Sequence, residues 1–270
     1  MVNSIKDHMT QEDTISEIRL MLGHNKQRVC VVVEGEDDQK IFGHLLTGNV
    51  DLFVSYAPKR GIEEIVTQHF PREKRVIGIR DKDYCQRAIS KRVFFCDYCC
   101  LEMMIISNDS CFERLYCDYY RGQASAQELR IHCLKHLECL SKIRLFNERN
   151  RWNLRLSGIN PGGLYKKSET EMEELILSEI NTQNSSNIMD EERVLEYKSF
   201  PVCSALEEYL EITNGHDFVH LFSKVCPSHP SIKAISSTMR GTFGQYEFSH
   251  TQLYSNLHTY QKQKGITIVS

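Results

Sequence analysis

The chain is predicted to be an α/β protein: a mainly parallel sheet flanked by helices, followed by a mostly helical carboxy-terminal region. Three observations predict it. Apolar runs of strand length occur at VCVVV (29–33) and within KRVIGIR (74–80). Segments with apolar residues at helical intervals separate the strand-like runs of the first hundred residues. From about residue 123 helical intervals continue without new strand-like runs. A continuous β-branched run suits a parallel strand covered on both faces, and strands alternating with helices are the pattern of parallel crossover units.

Taken in order, residues 10–24 carry Ile15, Ile18 and Leu22 at helical spacing behind Thr10 or Thr14 as cap, which predicts a helix leading into the first strand. That strand ends at Glu34-Gly35, and the stretch Asp37–Leu46 reads as a helix packing through Ile41, Leu45 and Leu46. A second strand is expected over 51–57, a turn from Pro58 to Gly61, and a helix over IEEIVTQHF. The third strand, 75–80, runs directly into an acidic loop; a fourth, 91–97, precedes the helix or helix pair of CLEMMIISNDSCFERLY. A long helix is expected from Leu129 through Ile143, a turn-rich break at LSGINPGGLYKK, a helix over EMEELILSEINTQ, and further helices at 203–213, 215–224 and 249–263. The organisation read from this is a lead-in at 1–27, a core at 28–122, and a mostly helical region at 123–270 packed on that core.

Composition narrows the function classes. The 270 residues hold 33 Lys+Arg and 36 Asp+Glu, a formal charge of −3, so a generally basic coat for nucleic acid is excluded while a local basic groove is not. With 41% hydrophobic residues the chain can form a sizeable core. Eleven cysteines, an odd number at irregular spacing, do not make a disulfide framework, and Cys96, Cys99 and Cys100 lack the second pair a structural zinc needs. No signal-like run opens the sequence, and VCVVV is far short of the ~20 residues that cross a bilayer. The expectation is a cytoplasmic protein with no membrane association.

The chemistry is expected where parallel strands end. Glu34 closes one buried strand and Gly35 lets the backbone turn at once; Asp38, four residues on, faces the same side if a helix starts immediately. Asp81 and Asp83 follow another buried strand in GIRDKDY. Carboxylates gathered without matching positive charge raise one another's pKa, a cost that a divalent cation removes, and oxygen ligands select Mg²⁺ or Mn²⁺ over zinc. The metal set is therefore Glu34, Asp38, Asp81 and Asp83. Each residue alone is equally well read as a helix cap; Asp37 is read as a helix-start residue and Glu36 as solvated.

A strand followed by Glu-Gly and, later, a strand followed by Asp-x-Asp resemble the Toprim domain of topoisomerases, primases and a group of nucleases. The stretches VEGEDDQKIF, FFCDYCCLEMMI, NGHDFVHLF and TQLYSNLHTYQ are more closely similar to the DUF4435 branch of Toprim-like proteins. The resemblance implies a Rossmann-like Toprim core in which Glu34, Asp81 and Asp83 bind Mg²⁺, with Glu102 of CCLEMMI joining the active site. It implies a metal-dependent endonuclease cutting RNA, tRNA among the targets, or DNA, as the toxic effector of an antiphage system working with an ABC-type ATPase. Apolar faces on the carboxy-terminal helices are where a homodimer or that partner would dock.

Lys59 and Arg60, in the loop after the second strand, are either solvated or placed to reach a phosphate, Lys59 as an electrostatic catalyst and Arg60 with Lys82 as substrate contacts; His216, after Asn214-Gly215, reads as a further substrate contact or as part of a helix cap. Arg80 and Lys82 flank the aspartates and would either contact phosphate or neutralise the acids. Tyr116, Tyr119 and Tyr120 beside Arg114 and Arg121 form either a base-stacking patch or a packed helix junction; NERNRWNLR is a locally basic stretch that would suit RNA or a protein partner; and His132 with His136 reads as a surface or packing pair. The alternatives are a non-catalytic nucleic-acid or partner-binding module with a degenerate metal centre, or a Toprim enzyme of strand-transfer or primase type.

Overall fold

The computed structural model describes residues 11–85 and 87–270; Thr10, one of the two expected caps, lies outside them. The chain divides into two compact units. The first runs to Asp97 and resumes at Phe243–Ser270, and the second is Tyr98–Thr242.

Four strands make the sheet: β1 (Val29–Val33), β2 (Val50–Val54), β3 (Val76–Arg80) and β4 (Val93–Phe95). They are all parallel, in the order β2-β1-β3-β4. The helices of the first half are α1 (Gln11–His24), α2 (Glu36–Leu45), α3 (Pro58–Glu64), α4 (Leu101–Ser107), α5 (Asp109–Tyr119) and α6 (Ala126–Arg149). Those of the second half are α7 (Glu169–Asn184), α8 (Glu191–Lys198), α9 (Leu206–Ile212), α10 (Gly215–Val225), α11 (Ile232–Thr242), α12 (Gln245–Ser249) and α13 (Gln252–Lys264).

In the first unit every residue of β1 and β3 is buried, as runs of Val and Ile in central parallel strands require. Alternation sorts them. Cys30, Val32 and Val76 pack with Ile15 and Ile18 of α1, Ile62 of α3, and Ile65 and Val66 of the π-helical turn that continues α3. The approach of α3 is close: a Cβ on Gly78 would fall 2.3 Å from Ile62 Cγ2, so this β3 position tolerates only hydrogen. Helix α2 packs on β1 and β2 and meets α12 through Phe42 and Phe248, ring centroids 6.3 Å apart. Helix α13 lies on the β4 edge, where Tyr260 meets Phe94 edge-to-face at 5.4 Å. Two backbone bonds hold its start, since Asp97, just past β4, accepts from Gln252 N (2.7 Å) and Leu253 N (2.8 Å).

The second unit is helical throughout. Its longest helix, α6, begins in a capping box, with Ser125 and Glu128 each satisfying the other's backbone N–H. Leu140 and Ile143 of α6 pack with Trp152, Leu154 and Ile176, while Phe112 of α5 meets Phe218 and Phe222 of α10. Helices α8 and α11 are absent from the sequence reading. Only Tyr197 of α8 is buried, so no apolar face marks that helix, whereas Ile232, Ile235 and Met239 of α11 stand at helical spacing, a signal present in the sequence and missed. Among the described residues no helix is long and apolar enough to cross a membrane.

Candidate active site at the carboxyl edge of the sheet

Glu34 follows the last residue of β1, and Asp81 follows the last residue of its neighbour β3. Adjacent parallel strands bring their carboxyl ends to one edge, the usual place for chemistry in open α/β sheets. The two ends are bonded: the backbone N–H of Asp81 donates to Glu34 Oε1 at 2.9 Å. Glu34 continues the face of Cys30 and Val32, the face on which Arg80 also points from β3 toward α3.

Arg80 is the organising cation. Its side chain is 3% exposed and lies over the Phe95 ring at 5.2 Å. The guanidinium donates to Glu63 Oε1 of α3 (2.8 Å) and to the carbonyl of Asp81 (3.0 Å). It also lies 3.8 Å from Asp83 Oδ2 and 4.0 Å from Glu34 Oε1. Of the two roles open to Arg80 from the sequence, its geometry is that of neutralising the acids. Glu63 is a member of the site that sequence reasoning missed; it sits on the helix facing β3, and nothing in its local sequence marks it.

Asp83 takes the left-handed backbone region at φ 47°, which costs about 1 kcal/mol or more for a residue with a Cβ, though Asp tolerates it better than most. This turn aims the carboxylate back at the site. Asp83 Oδ2 is shielded from solvent and stands 2.7 Å from Lys59 Nζ without a well-directed hydrogen bond. Lys59 reaches it from the first turn of α3, and its side chain is 42% exposed.

The remaining expected residues are placed differently. Asp38 accepts from Gly35 N at 2.9 Å, closing the first turn of α2, so one of its oxygens is engaged as a helix cap. Arg60 pairs with Glu64 one turn away at 2.6 Å, with an 87% exposed side chain. Lys82 is half-buried between the two aspartates. Glu36 and Asp37 are exposed, and Lys40 pairs with Asp37 at 3.1 Å.

Glu102 and His216 belong to the second unit. The Glu102 carboxylate lies against Gly215, the first residue of α10: a Cβ there would fall 2.3 Å from Oε2. The positive end of that helix favours an anion at this place. His216 is exposed, and its backbone N–H donates to the cap residue Asn214. Its neighbour Asp217 is buried and accepts two bonds from Arg144 of α6, at 2.6 and 2.9 Å. The tyrosine cluster is a packed junction, with Tyr116 OH donating to Ala124 O and Tyr119 OH meeting Thr238 Oγ1. In NERNRWNLR, Trp152 is buried and stacked on Phe146. His136 is tied to Leu164 O at 3.1 Å, and burial pulls its pKa down. All eleven cysteines are free thiols.

Burial dominates the electrostatics of the edge. Burial, aided by the charge of Asp83, pushes the Glu34 carboxyl up to about 7, against the Asp81 N–H bond, Arg80 and Lys59, which all pull it down. The buried Cys96 thiol is pushed well above its ordinary value, by burial first and then by Asp81, Asp38, Asp97 and Glu34. With a carboxyl near 7, Glu34 is suited to exchanging a proton near neutral pH in the metal-free protein. Among the described residues the carboxylates of Glu34, Asp81 and Asp83 do not converge to within 4.8 Å of one another, so a hard cation shared by all three would have to draw them together and would displace the Glu34 proton. No protein-family model matches the chain, and no curated protein matches it.

Proposed function

We propose that the carboxyl edge of the sheet is the active centre of a Mg²⁺-dependent nuclease with a Toprim-like core. The single observation that carries the reading is the 2.9 Å bond from Asp81 N to Glu34 Oε1, which joins the glutamate after β1 to the Asp-x-Asp loop after β3. The order of these residues along the chain, each at a parallel strand end, supports the Toprim-like assignment. Glu34, Asp81 and Asp83 would hold the cation, with Asp38 adding its second oxygen. Mn²⁺ would serve in place of Mg²⁺. A bound hard cation supplies Lewis-acid polarisation of a phosphate and offsets charge on the departing oxygen.

The chain's own groups have separate tasks in this reading. Glu34 serves as a carboxylate ligand in this reading, and its carboxyl near 7 belongs to the metal-free state. Lys59, half-exposed and held by Asp83, swings to a phosphate oxygen when substrate arrives. Arg80 holds the Asp81 carbonyl and so fixes the loop that presents both aspartates. Arg60 and Lys82 are proposed to meet the substrate backbone. A catalytic role for Glu102 is proposed on the resemblance alone, and a phosphate contact for His216 on its place at the start of α10. The proposed substrate is nucleic acid, RNA before DNA, with tRNA among the targets. The proposed setting is an antiphage effector held by an ABC-type ATPase and acting as a homodimer.

Incubating the purified protein with total RNA and with plasmid DNA, in Mg²⁺ and in chelator, tests the reading against a Glu34→Gln control. Cleavage that needs Mg²⁺ and is lost in Glu34→Gln is expected. Cleavage that survives in Glu34→Gln overturns the assignment. A second reading is favoured by one observation: Lys59 and Arg80 stand 2.7 and 3.8 Å from Asp83. If these cations suffice for the acids, the unit is a binding module whose acidic edge takes no metal, and neither nucleic acid would be cut in any condition.

A further inference from the structure

A cavity of about 610 Å³ opens at the opposite end of the same sheet, walled by the residues before β3, the approach to β4 and one side of α13. Five cations line it, Arg72, Lys74, Lys91, Arg92 and Lys264, and none of its described lining residues is acidic. Glu73, which stands between Arg72 and Lys74 in the sequence, is engaged by Arg75: its two oxygens accept at 3.0 Å each. The chain as a whole carries a net −3, so this concentration of positive charge is local and not a general property of the surface.

The cations divide into two kinds. Arg92 and Lys74 build the walls. Arg92 donates to the carbonyls of Phe70 and Glu73 at 2.8 Å and of Val66 at 2.6 Å, and Lys74 Nζ donates to Lys264 O at 2.6 Å. Arg72 and Lys91 are exposed at the mouth and make no ion pair among the described residues. Lys264 Nζ lies 5.9 Å over the ring of Tyr260, whose hydroxyl donates to Lys74 O. Tyr260 and Phe94 give the cavity an aromatic floor, and Asn256 and Gln263 add amide groups.

Five like charges gathered in one concavity repel one another, and carbonyl partners relieve only part of that repulsion. An anion with several charges relieves the rest, and phosphate groups match both the arginine fork and the lysine point charge. The volume lies in the range of small-ligand pockets, and the concave shape suits a compact polyphosphate with an attached ring more than an extended duplex. We infer that this cavity binds the phosphates of a nucleotide-sized anion, with Arg72 and Lys91 as the mouth cations and the Tyr260–Phe94 floor against its ring. Strand β3 separates it from the acidic edge by about 13 Å at ~3.3 Å per residue, so the inference stands independently of the nuclease reading.

The test is fluorescence titration of the full chain with a fluorescent ATP analogue in chelator, which keeps metal from the acidic edge. Saturable binding is expected, displaced by pyrophosphate and weakened at least tenfold in Arg72→Glu/Lys91→Glu. The Arg72→Gln/Lys91→Gln protein, which removes charge without reversing it, should show a smaller loss in the same direction with an unchanged melting temperature. Absence of saturable binding, or binding unchanged in both variants, overturns the inference. Binding of labelled single-stranded RNA that depends on Arg72 and Lys91 but resists pyrophosphate and ATP also overturns it, and would make the cavity a backbone groove instead.

Discussion

Glu34 and Asp81, 47 residues apart in the chain, are joined by a hydrogen bond in which the backbone N–H of Asp81 donates to Glu34 Oε1 at 2.9 Å. The bond fixes a carboxylate at the end of β1 against the loop leaving β3. It acts against burial and the charge of Asp83, which together hold the Glu34 carboxyl up to about 7. Glu34→Gln keeps an oxygen for the Asp81 N–H and removes the charge. In the proposed enzyme this should lower cleavage at least a hundredfold, about 2.7 kcal/mol in the barrier, with an unchanged circular dichroism spectrum.

The raised Glu34 pKa also sets a sign for stability in metal-free protein. The folded state holds a proton on Glu34 that the unfolded chain, near pKa 4.5, releases earlier. This stabilisation is full below about pH 4.5 and is lost as pH rises through about 7, by at most about 3 kcal/mol. Urea titrations in chelator between pH 5 and pH 8 should show wild type losing stability relative to Glu34→Gln as pH rises. A difference that stays constant with pH would mean that Glu34 titrates alike in both states.

Lys59 competes with any cation for Asp83. Lys59→Ala should therefore bind Mg²⁺ several-fold more tightly in calorimetry while cleaving more slowly. As a half-exposed ion pair it contributes under about 1 kcal/mol to folding, so the melting temperature should scarcely move.

Arg80 is different because it is buried among acids. Arg80→Met leaves Glu63, Asp83 and Glu34 without their shared partner, and a loss of about 3–5 kcal/mol is expected in chemical denaturation. Arg80→Lys should recover only part of it, since one ammonium cannot reach both Glu63 and the Asp81 carbonyl.

In the second unit, the pair of Arg144 and Asp217 gives an independent check on the helical packing. Asp217→Asn or Arg144→Met alone should cost about 3 kcal/mol or more, because each strands a buried charge. The double substitution should cost clearly less than the sum of the singles in the same denaturation assay.

The parallel sheet was legible because β1 and β3 are central strands whose buried faces leave unbroken runs of Val and Ile. Its acidic edge was legible because Glu34 and Asp81 directly follow those runs. The partners of the acids were not. Glu63 reaches Arg80 only through the packing of α3 on β3, and the left-handed turn at Asp83 has no glycine to announce it. Asp38 read equally as ligand and cap from its spacing, and its bond to Gly35 shows the cap in place. Arg144 and Asp217 lie 73 residues apart on helices α6 and α10, a separation no local pattern bridges. The basic cavity was hidden for the same reason, since residues near 72, 91 and 264 meet only in the folded unit.

Calorimetric titration of Mg²⁺ into the metal-free chain, beside an Asp81→Ala/Asp83→Ala protein, addresses the acidic edge most directly. Saturable binding to wild type, stronger at pH 8 than at pH 6 and abolished by the double substitution, is the expected result. No binding to wild type, or the same binding in both proteins, would contradict a cation held between Glu34 and the two aspartates.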